Sequence, residues 1–291
     1  MQSTPPKKAF KYSWEEAIDI LRDDPAHQAL IQNSYLTRDI VANCTRFAAS
    51  AEFAEALGLL KFHAAGARTV LDMPGGNGIA TYAFASAGFD VTAVEPNPSN
   101  TVGRGAIAHV LSAAGLRANI VNAWGEELPF DSNSFDVAYV RQGLHHAMDL
   151  PRMLAQLGRV LRPGGVLLAC REHVVDNYQE SLDAFLESQV DHQLYGGEHA
   201  FTLTDYRSAI RSGGLDIRLE LGPFDSIINA FPNTPEVLRE KILQSPQGRL
   251  LRKVLPDDAI VALGQWRLKR QKAPGRLVTF LAVKSKPSGP C

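Results

Sequence analysis

Two acidic residues border a glycine-rich turn in a way that suits a positively charged ligand. Asp72 precedes the segment Pro74-Gly75-Gly76-Asn77-Gly78, and Glu95 ends the next apolar segment. Glycines let a backbone approach a ligand closely, and the free N–H groups of the helix that follows attract a carboxylate. A carboxylate such as Glu95 accepts two hydrogen bonds from a ribose diol. The pattern therefore favours a nucleoside with a cationic arm and no phosphate, and S-adenosylmethionine is such a molecule.

A dinucleotide-binding loop is the competing interpretation of this turn. That loop follows the pattern G-x-G-x-x-G, but Thr81 occupies the place of the third glycine after Gly76 and Gly78. The negative charge of Asp72 would also repel a pyrophosphate. A nicotinamide-dependent oxidoreductase is therefore disfavoured, and binding of NAD against S-adenosylmethionine would separate the two interpretations.

Three histidines follow later apolar segments and are candidates for acid–base chemistry. His145 and His146 come after the segment 135–140, and His173 comes after the segment 166–171. Histidine is the side chain whose ordinary pKa suits a general base near neutral pH. We therefore take His173, His145 and His146 as the candidate catalytic residues.

A polar stretch with a pair of glycines inside it, residues 192–199, can be either a lid over an acceptor or an ordinary exposed loop. It contains His192, Glu198 and His199. Taken together with His173, these residues match no compact metal-ligand spacing. The sequence therefore predicts no metal site.

The elements around these residues alternate between strand and helix patterns. Alternation of this kind is typical of a parallel sheet covered by helices on both faces. About 60 residues of short helices precede the first strand, and two further strands lie near Ile217 and Leu277. The first five strands are predicted at 69–72, 89–95, 118–123, 135–140 and 166–171, and a polar helix is predicted at 176–194.

Charge and composition exclude several classes of protein. The 291 residues include 30 Lys and Arg against 31 Asp and Glu, a net charge of −1, which argues against nucleic acid as the partner. No apolar run approaches the ~18 residues of a membrane helix, and the polar start lacks a secretory signal. Three scattered cysteines, Cys44, Cys170 and Cys291, suit neither a disulfide framework nor a zinc site. We therefore expect a cytoplasmic protein that does not enter a membrane.

Five segments resemble, in order and spacing, the motifs of class I S-adenosylmethionine-dependent methyltransferases. The first carries the acidic residue and the glycines, and Pro74 stands where the family commonly has its first glycine. The resemblance spans about a third of the chain, from Arg68 to Arg171. The segments are 70–78, 91–97, 126–136, 144–146 and 159–165.

The resemblance implies roles for individual residues. The glycine turn and Asp72 would wrap the methionyl part of the cofactor, and Glu95 would hold the ribose hydroxyls. Trp124 stands where many members have an Asp that contacts the adenine. Either Trp124 would pack on the purine, or Glu126 would accept the hydrogen bond from the adenine instead. Arg141 would pair with the cofactor carboxylate, or would be an ordinary surface ion-pair partner. The implied cofactor-binding residues are Asp72, Pro74, Gly75, Gly76, Gly78, Glu95, Asn97, Trp124, Gly125 and Arg141.

The implied fold is α/β: a Rossmann-like, doubly wound, seven-stranded and mainly parallel sheet, with the last two strands antiparallel. Residues 1–66 would form a helical cover and 67–291 the methyltransferase domain. Helical insertions at about 175–213 and 224–272 would shape an acceptor pocket.

The implied activity is methyl transfer from S-adenosylmethionine to a small or medium-sized molecule, with O-methylation ahead of N, C or S. A protein that holds the cofactor without transferring methyl is the alternative from another class. The sequence names neither the acceptor nor the oligomeric state.

Overall fold

A computed structural model describes residues 11–285 of the chain. Cys291 and the polar first residues, on which the expectations about cysteines and a leader partly depended, lie outside the described residues, as do the outer ends of both predicted domains. Among the described residues, no helix is long and apolar enough to cross a membrane.

Eight strands form one sheet in the described part of the chain. Their bounds are β1 (Thr69–Asp72), β2 (Asp90–Val94), β3 (Asn119–Val121), β4 (Phe135–Arg141), β5 (Leu161–Val175), β6 (Phe201–Thr202), β7 (Leu215–Leu221) and β8 (Arg276–Lys284).

Fourteen α-helices are found between residues 11 and 285. Their bounds are α1 (Trp14–Asp23), α2 (Gln28–Asn33), α3 (Ile40–Ala48), α4 (Ala51–His63), α5 (Ile79–Ser86), α6 (Arg104–Ala114), α7 (Leu150–Val160), α8 (Glu180–Ser188), α9 (Val190–Tyr195), α10 (Leu203–Ser212), α11 (Ile227–Ala230), α12 (Pro235–Gln244), α13 (Pro246–Leu251) and α14 (Asp257–Lys269).

The sheet has the order β3-β2-β1-β4-β5-β8-β7. The strands from β3 to β5 are parallel, and β8 runs antiparallel between β5 and β7. The predicted fold class is confirmed, with the two-residue β6 added beside β5. The order of strands reverses between β1 and β4, which is where ligands of doubly wound sheets bind.

The central strands are buried on both faces because helices cover each side. Val70 and Leu71 of β1 pack into two different cores, and Val137 and Ala138 of β4 divide in the same way. A parallel sheet enclosed in this manner needs continuous apolar runs rather than alternation. That requirement explains why these strands were recognisable in the sequence.

β5 is longer than predicted and carries an irregularity near its carboxyl end. Its register with β8 shifts between Ala169 and Glu172, and Arg171 has φ 62°. A β-bulge of this kind re-aims the side chains that follow it. Here those side chains are Glu172 and His173.

The predicted helix at 176–194 is two helices, α8 and α9. Gln189 separates them with φ −92° and ψ 108°, an extended conformation that ends the first helix.

One carboxylate ties the amino-terminal ends of two central strands together. Oδ2 of Asp136 accepts hydrogen bonds from the backbone N–H groups of Arg68 and Thr69 and from the Thr69 hydroxyl. Its other oxygen pairs with Arg162. Burial opposes ionisation, but these donors outweigh it and lower the pKa of Asp136 to about 2.

We predict that Asp136→Asn lowers the free energy of unfolding at pH 7 by about 1–2 kcal/mol, since a pKa unit is about 1.4 kcal/mol and the group is partly solvated. Because the folded pKa lies below the ordinary value of 3.8, this stabilisation is present above about pH 4 and is lost as pH falls toward 2. Urea denaturation of both proteins between pH 7 and 3 measures it. The exposed Asp131→Asn is the control, and an equal loss at every pH would contradict the assignment.

Candidate active site

A cavity of about 710 Å³ lies at the carboxyl ends of β1, β2 and β4. It is lined by every predicted site residue except Gly78, including all three candidate histidines. The residues predicted to bind the cofactor and the histidines predicted to act in catalysis therefore line the same cavity.

Helices cover this cavity from two directions. Trp14 of α1 and Leu30 of α2 line one side, and Asp191 and Tyr195 of α9 line another. The rings of Trp14 and Tyr195 meet with centroids 4.6 Å apart, so the two covers touch. The segment 224–272 contributes Pro232 alone to the lining that the structure describes.

The glycines of the turn after β1 serve two purposes. A Cβ on Gly78, which has φ 91°, would lie 3.2 Å from the Ile107 backbone, so this glycine lets the turn pack on α6. Gly76 has φ 52° and open space where its Cβ would be. Since Gly76 lines the cavity, its bare backbone is open to a ligand.

Asp72 is buried at the end of β1, with its carboxylate against the cavity. Its Oδ2 accepts a hydrogen bond of 2.6 Å from the Thr81 hydroxyl. Burial, with a smaller contribution from the charge of Glu95, raises the pKa of Asp72 to about 7. A cationic ligand beside it would favour the ionised form.

Glu95 joins two loops at the cavity. One oxygen accepts from the Gly76 N–H and the other from the Asn97 N–H, both at 2.8 Å. Burial raises the pKa of this carboxyl group. Each oxygen keeps a further lone pair, so the two bonds fix the orientation of the carboxylate and leave it able to accept from a diol.

The residues predicted near the adenine lie at the mouth of the cavity. The Trp124 side chain is 59% exposed, whereas Gly125 is buried against Met153. Glu126 accepts a 2.9 Å hydrogen bond from the Met148 N–H, which fixes it to the loop before α7.

Arg141 already has a carboxylate partner in the structure. Its Nε and Nη2 donate to the two oxygens of Glu52 on α4, at 2.7 and 3.2 Å. Burial alone would lower the pKa of Arg141, but the Glu52 carboxylate raises it. This pairing is not the surface ion pair considered from the sequence, because the Glu52 side chain is 1% exposed.

His145 lies between two carboxylates at the other end of the cavity. Its Nδ1 is 2.8 Å from Oε2 of Glu172, and its Nε2 is 3.5 Å from Oε2 of Glu198. Burial alone would lower the pKa of His145, but these carboxylates raise it to about 9.

His173 and His146 are each fixed by a backbone carbonyl. Nδ1 of His173 lies 2.9 Å from the Gly275 oxygen, and Nδ1 of His146 lies 2.9 Å from the Gly197 oxygen. Because a carbonyl oxygen only accepts, both Nδ1 atoms donate, and each neutral ring keeps its lone pair on Nε2. Burial and the nearby His145 lower the pKa of His173 to about 4.

The central part of the chain, residues 71–169, matches the family model described as a methyltransferase domain. This stretch contains the glycine turn, Glu95, Arg141 and the first two histidines. Residues 71–169 of this chain are therefore similar to a methyltransferase domain.

Sequence relatives match about a third of the chain and are also methyltransferases by name. An uncharacterized methyltransferase of Mycobacterium bovis is 39% identical over 103 residues, which are 35% of this chain and 39% of that one. A demethylmenaquinone methyltransferase of Clavibacter sepedonicus is 35% identical over 102 residues, 35% of this chain and 40% of that one. The chain thus spans about two fifths of the length of the relatives it matches.

Solved structures extend the likeness of the fold to most of the chain. Phosphoethanolamine N-methyltransferase 2 of Haemonchus contortus, solved with phosphomonomethylethanolamine and S-adenosylhomocysteine, has a TM-score of 0.56 at 20% identity. The match covers 95% of this chain and 61% of that one.

The match to a methyltransferase domain indicates S-adenosylmethionine as the cofactor, and the residues present fit it. Asp72 and Glu95 place two carboxyl groups on the cavity wall, which is the chemistry that a cationic nucleoside with a ribose diol needs. The open space at Gly76 leaves room for the cofactor against bare backbone.

Two parts of this candidate site were not predicted. One is the pairing of Glu52 with Arg141, which are 89 residues apart. The other is the approach of Glu198 to His145, since the sequence places Glu198 in a lid or a loop and disfavours it as a metal ligand with other histidines. Arg171 also lines the cavity, and its Nε has no hydrogen-bond partner in the described part of the chain.

We predict that the affinity for S-adenosylmethionine rises by roughly fivefold between pH 6 and pH 7, because ionised Asp72 binds the cation and its pKa in the free protein is about 7. Calorimetric titration across this range measures the effect. Asp72→Asn is the matched control and should bind more weakly with a flatter pH profile. The same pH profile in both proteins would contradict the role of Asp72.

Proposed function

We propose that this protein transfers the methyl group of S-adenosylmethionine to an oxygen atom of a small or medium-sized molecule. The observation that carries the proposal is the shared cavity, in which the cofactor-type carboxylates and the histidine cluster line one space. Methyl transfer needs this arrangement, since the sulfonium carbon and the nucleophile must meet in line with water excluded.

At the cofactor end, we assign binding to the carboxylates and the bare turn. Asp72 would neutralise the cationic methionyl arm, and Glu95 would accept from the ribose diol. The hydrogen bonds from Gly76 and Asn97 to Glu95 hold that carboxylate in place before the cofactor arrives. Preorganised polar groups of this kind reduce the cost of ordering on binding.

At the acceptor end, His173 supplies an unprotonated nitrogen. Its Nδ1 bond to Gly275 leaves the lone pair on Nε2, and the residue lines the cavity. An acceptor hydroxyl must lose its proton as its oxygen bonds to the methyl carbon and the carbon–sulfur bond breaks. A lone-pair donor beside the acceptor is therefore the group expected to assist this step. The ring of His145 lies 4.8 Å from that of His173, between centroids, and the ring of His146 lies 4.2 Å from that of His145.

The size and cover of the cavity support a small acceptor. A space of about 710 Å³ falls within the ~300–1,000 Å³ common for small-molecule pockets. The contact between Trp14 and Tyr195 closes it on one side. A nucleic acid or a membrane is a poorer partner for a pocket of this size.

Arg171 supports an acceptor that carries negative charge. Its side chain lines the cavity and is buried, yet no ion pair joins it to a carboxylate within residues 11–285. Its Nη1 donates to the carbonyls of Ile228 and Phe231. A buried guanidinium without a counter-ion favours an anionic ligand.

We place this activity in the cytoplasm. Cys44 and Cys170 are free and buried, and free thiols persist in reducing compartments.

We predict that Asp72→Ala or Glu95→Ala weakens binding of S-adenosylmethionine at least tenfold, which is about 1.4 kcal/mol. Each change removes an anionic partner of the cofactor. Calorimetry with the cofactor measures the loss, and Asp90→Ala, at the exposed far end of the strand that leads to Glu95, is the control. Unchanged affinity in both variants would refute the assigned roles.

We predict that His173→Ala lowers turnover at least tenfold with little change in cofactor affinity, because the residue belongs to the acceptor end. Production of S-adenosylhomocysteine with a metabolite extract, followed by mass spectrometry, measures turnover, and the exposed His109→Ala is the control. Full activity in His173→Ala would remove this residue from the chemistry. Cofactor binding without any methylated product in the wild type would favour a cofactor-holding protein without transfer.

A further inference from the structure

Three side chains from separate parts of the chain converge at the acceptor end of the cavity. His145 follows β4, His173 lies in β5, and Glu198 lies beyond α9. One ligand atom from each lies within 4.8 Å of the other two. Two imidazoles and one carboxylate form a donor set that proteins use for divalent zinc and iron.

Each histidine is held in the orientation that a metal ligand needs. Nδ1 of His145 is bound by Glu172, and Nδ1 of His173 is bound by the Gly275 carbonyl. Both Nε2 atoms are therefore the ones left for a ligand. Metal-binding histidines characteristically donate their second nitrogen to a carboxylate or a backbone carbonyl in this way.

Glu172 is itself fixed within the protein. Its oxygens accept hydrogen bonds of 3.1 Å from the N–H groups of Gly143 and His145. The Glu172 carboxylate therefore binds both the ring Nδ1 and the backbone N–H of His145. Such a partner locks the ring in place without needing a metal to organise it.

One pair of donors already has the spacing of a metal site. Nε2 of His145 and Oε2 of Glu198 are 3.5 Å apart, and two donors on a tetrahedral ion with bonds of about 2.0–2.2 Å lie about 3.3–3.6 Å apart. The widest separation allowed among the three donors, 4.8 Å, exceeds that by roughly 1.2–1.5 Å. The third side chain must therefore move toward the other two when the ion binds.

The charges around the cluster also favour a cation. Glu172 and Glu198 are both buried and both lie against His145. Asp191, which lines the same cavity, adds a further acidic group beside Glu198. A buried cluster of this composition gains from a divalent ion.

We propose that His145, His173 and Glu198 bind a divalent first-row transition ion, and that the ion holds the oxygen of the methyl acceptor. Metal binding is independent of the proposed function, whereas the role in catalysis rests on it. Three protein ligands leave open positions, which suit an acceptor with two neighbouring oxygens.

Methyl transfer at this site needs the acceptor, the cofactor and one water molecule that takes the acceptor proton. The ion polarises the acceptor hydroxyl, whose proton passes to solvent. The oxygen then forms a bond to the methyl carbon as the carbon–sulfur bond breaks, and the sulfonium becomes a neutral thioether. His173 Nε2 in this arrangement holds the ion instead of taking the proton directly.

The test is titration of chelator-stripped protein with Zn²⁺ by calorimetry and with Co²⁺ by visible absorption. We expect one equivalent to bind with a dissociation constant below about 1 µM, and His145→Ala, His173→Ala and Glu198→Gln each to weaken it by at least about 100-fold. Glu172→Gln, a positioning variant, should weaken it by about 10–100-fold. The exposed His109→Ala is the control.

Binding of S-adenosylmethionine by each variant verifies that it is folded. Absence of a one-to-one site in the wild type, or unchanged metal affinity in any of the three ligand variants, would overturn the metal site. Methyl transfer that continues at full rate after stripping would overturn the catalytic role of the ion and leave the proposed function intact. Failure of the wild type to bind S-adenosylmethionine would instead defeat the proposed function, while the metal titration would still be decisive for the site.

Discussion

Strand direction is the constraint on which the cavity depends. Because the strands from β3 to β5 are parallel, the residues that follow each of them meet at one edge of the sheet. Asp72, Glu95 and His145 are far apart in the chain and arrive at the same cavity for this reason. The reversal of strand order between β1 and β4 then opens the crevice that the helices cover.

Local backbone irregularities adjust the direction of the side chains that the strands bring to the cavity. Gln142, directly after β4, and Arg171, within β5, both have positive φ, at 50° and 62°. Conformations of this kind are uncommon for residues other than glycine and gather at functional sites. At β5 the Thr279 hydroxyl supports the bulge by accepting from the Arg171 N–H. The bulge turns Glu172 and His173 toward His145, so the acceptor end depends on an exception to regular pairing.

Much of the fold follows from local sequence signals. β1 lies at Thr69–Asp72 as predicted, because a short apolar run before a glycine turn has few other structures open to it. The antiparallel end of the sheet, implied by the family resemblance, is likewise found in β7 and β8. The cofactor end was recognisable since its residues are adjacent in sequence within the motifs.

The acceptor end could not be predicted in the same way. The bulge at Arg171 is fixed by pairing with β8, which lies over 100 residues later in the chain. Glu198 meets His145 only after α8 and α9 fold back, and Glu52 meets Arg141 only after α4 packs on the sheet. These contacts depend on tertiary packing, for which local spacing carries no signal. For the same reason, the sequence does not group His145 with His173 and Glu198, and it predicts no metal site. The metal site proposed here differs from that prediction.

A crystal structure with bound S-adenosylhomocysteine tests the central claim most directly. The account predicts the ammonium group beside Asp72, the ribose hydroxyls on Glu95 and the sulfur directed toward His173 within the same cavity. A nucleoside bound elsewhere, or a sulfur directed away from the histidine cluster, would contradict it.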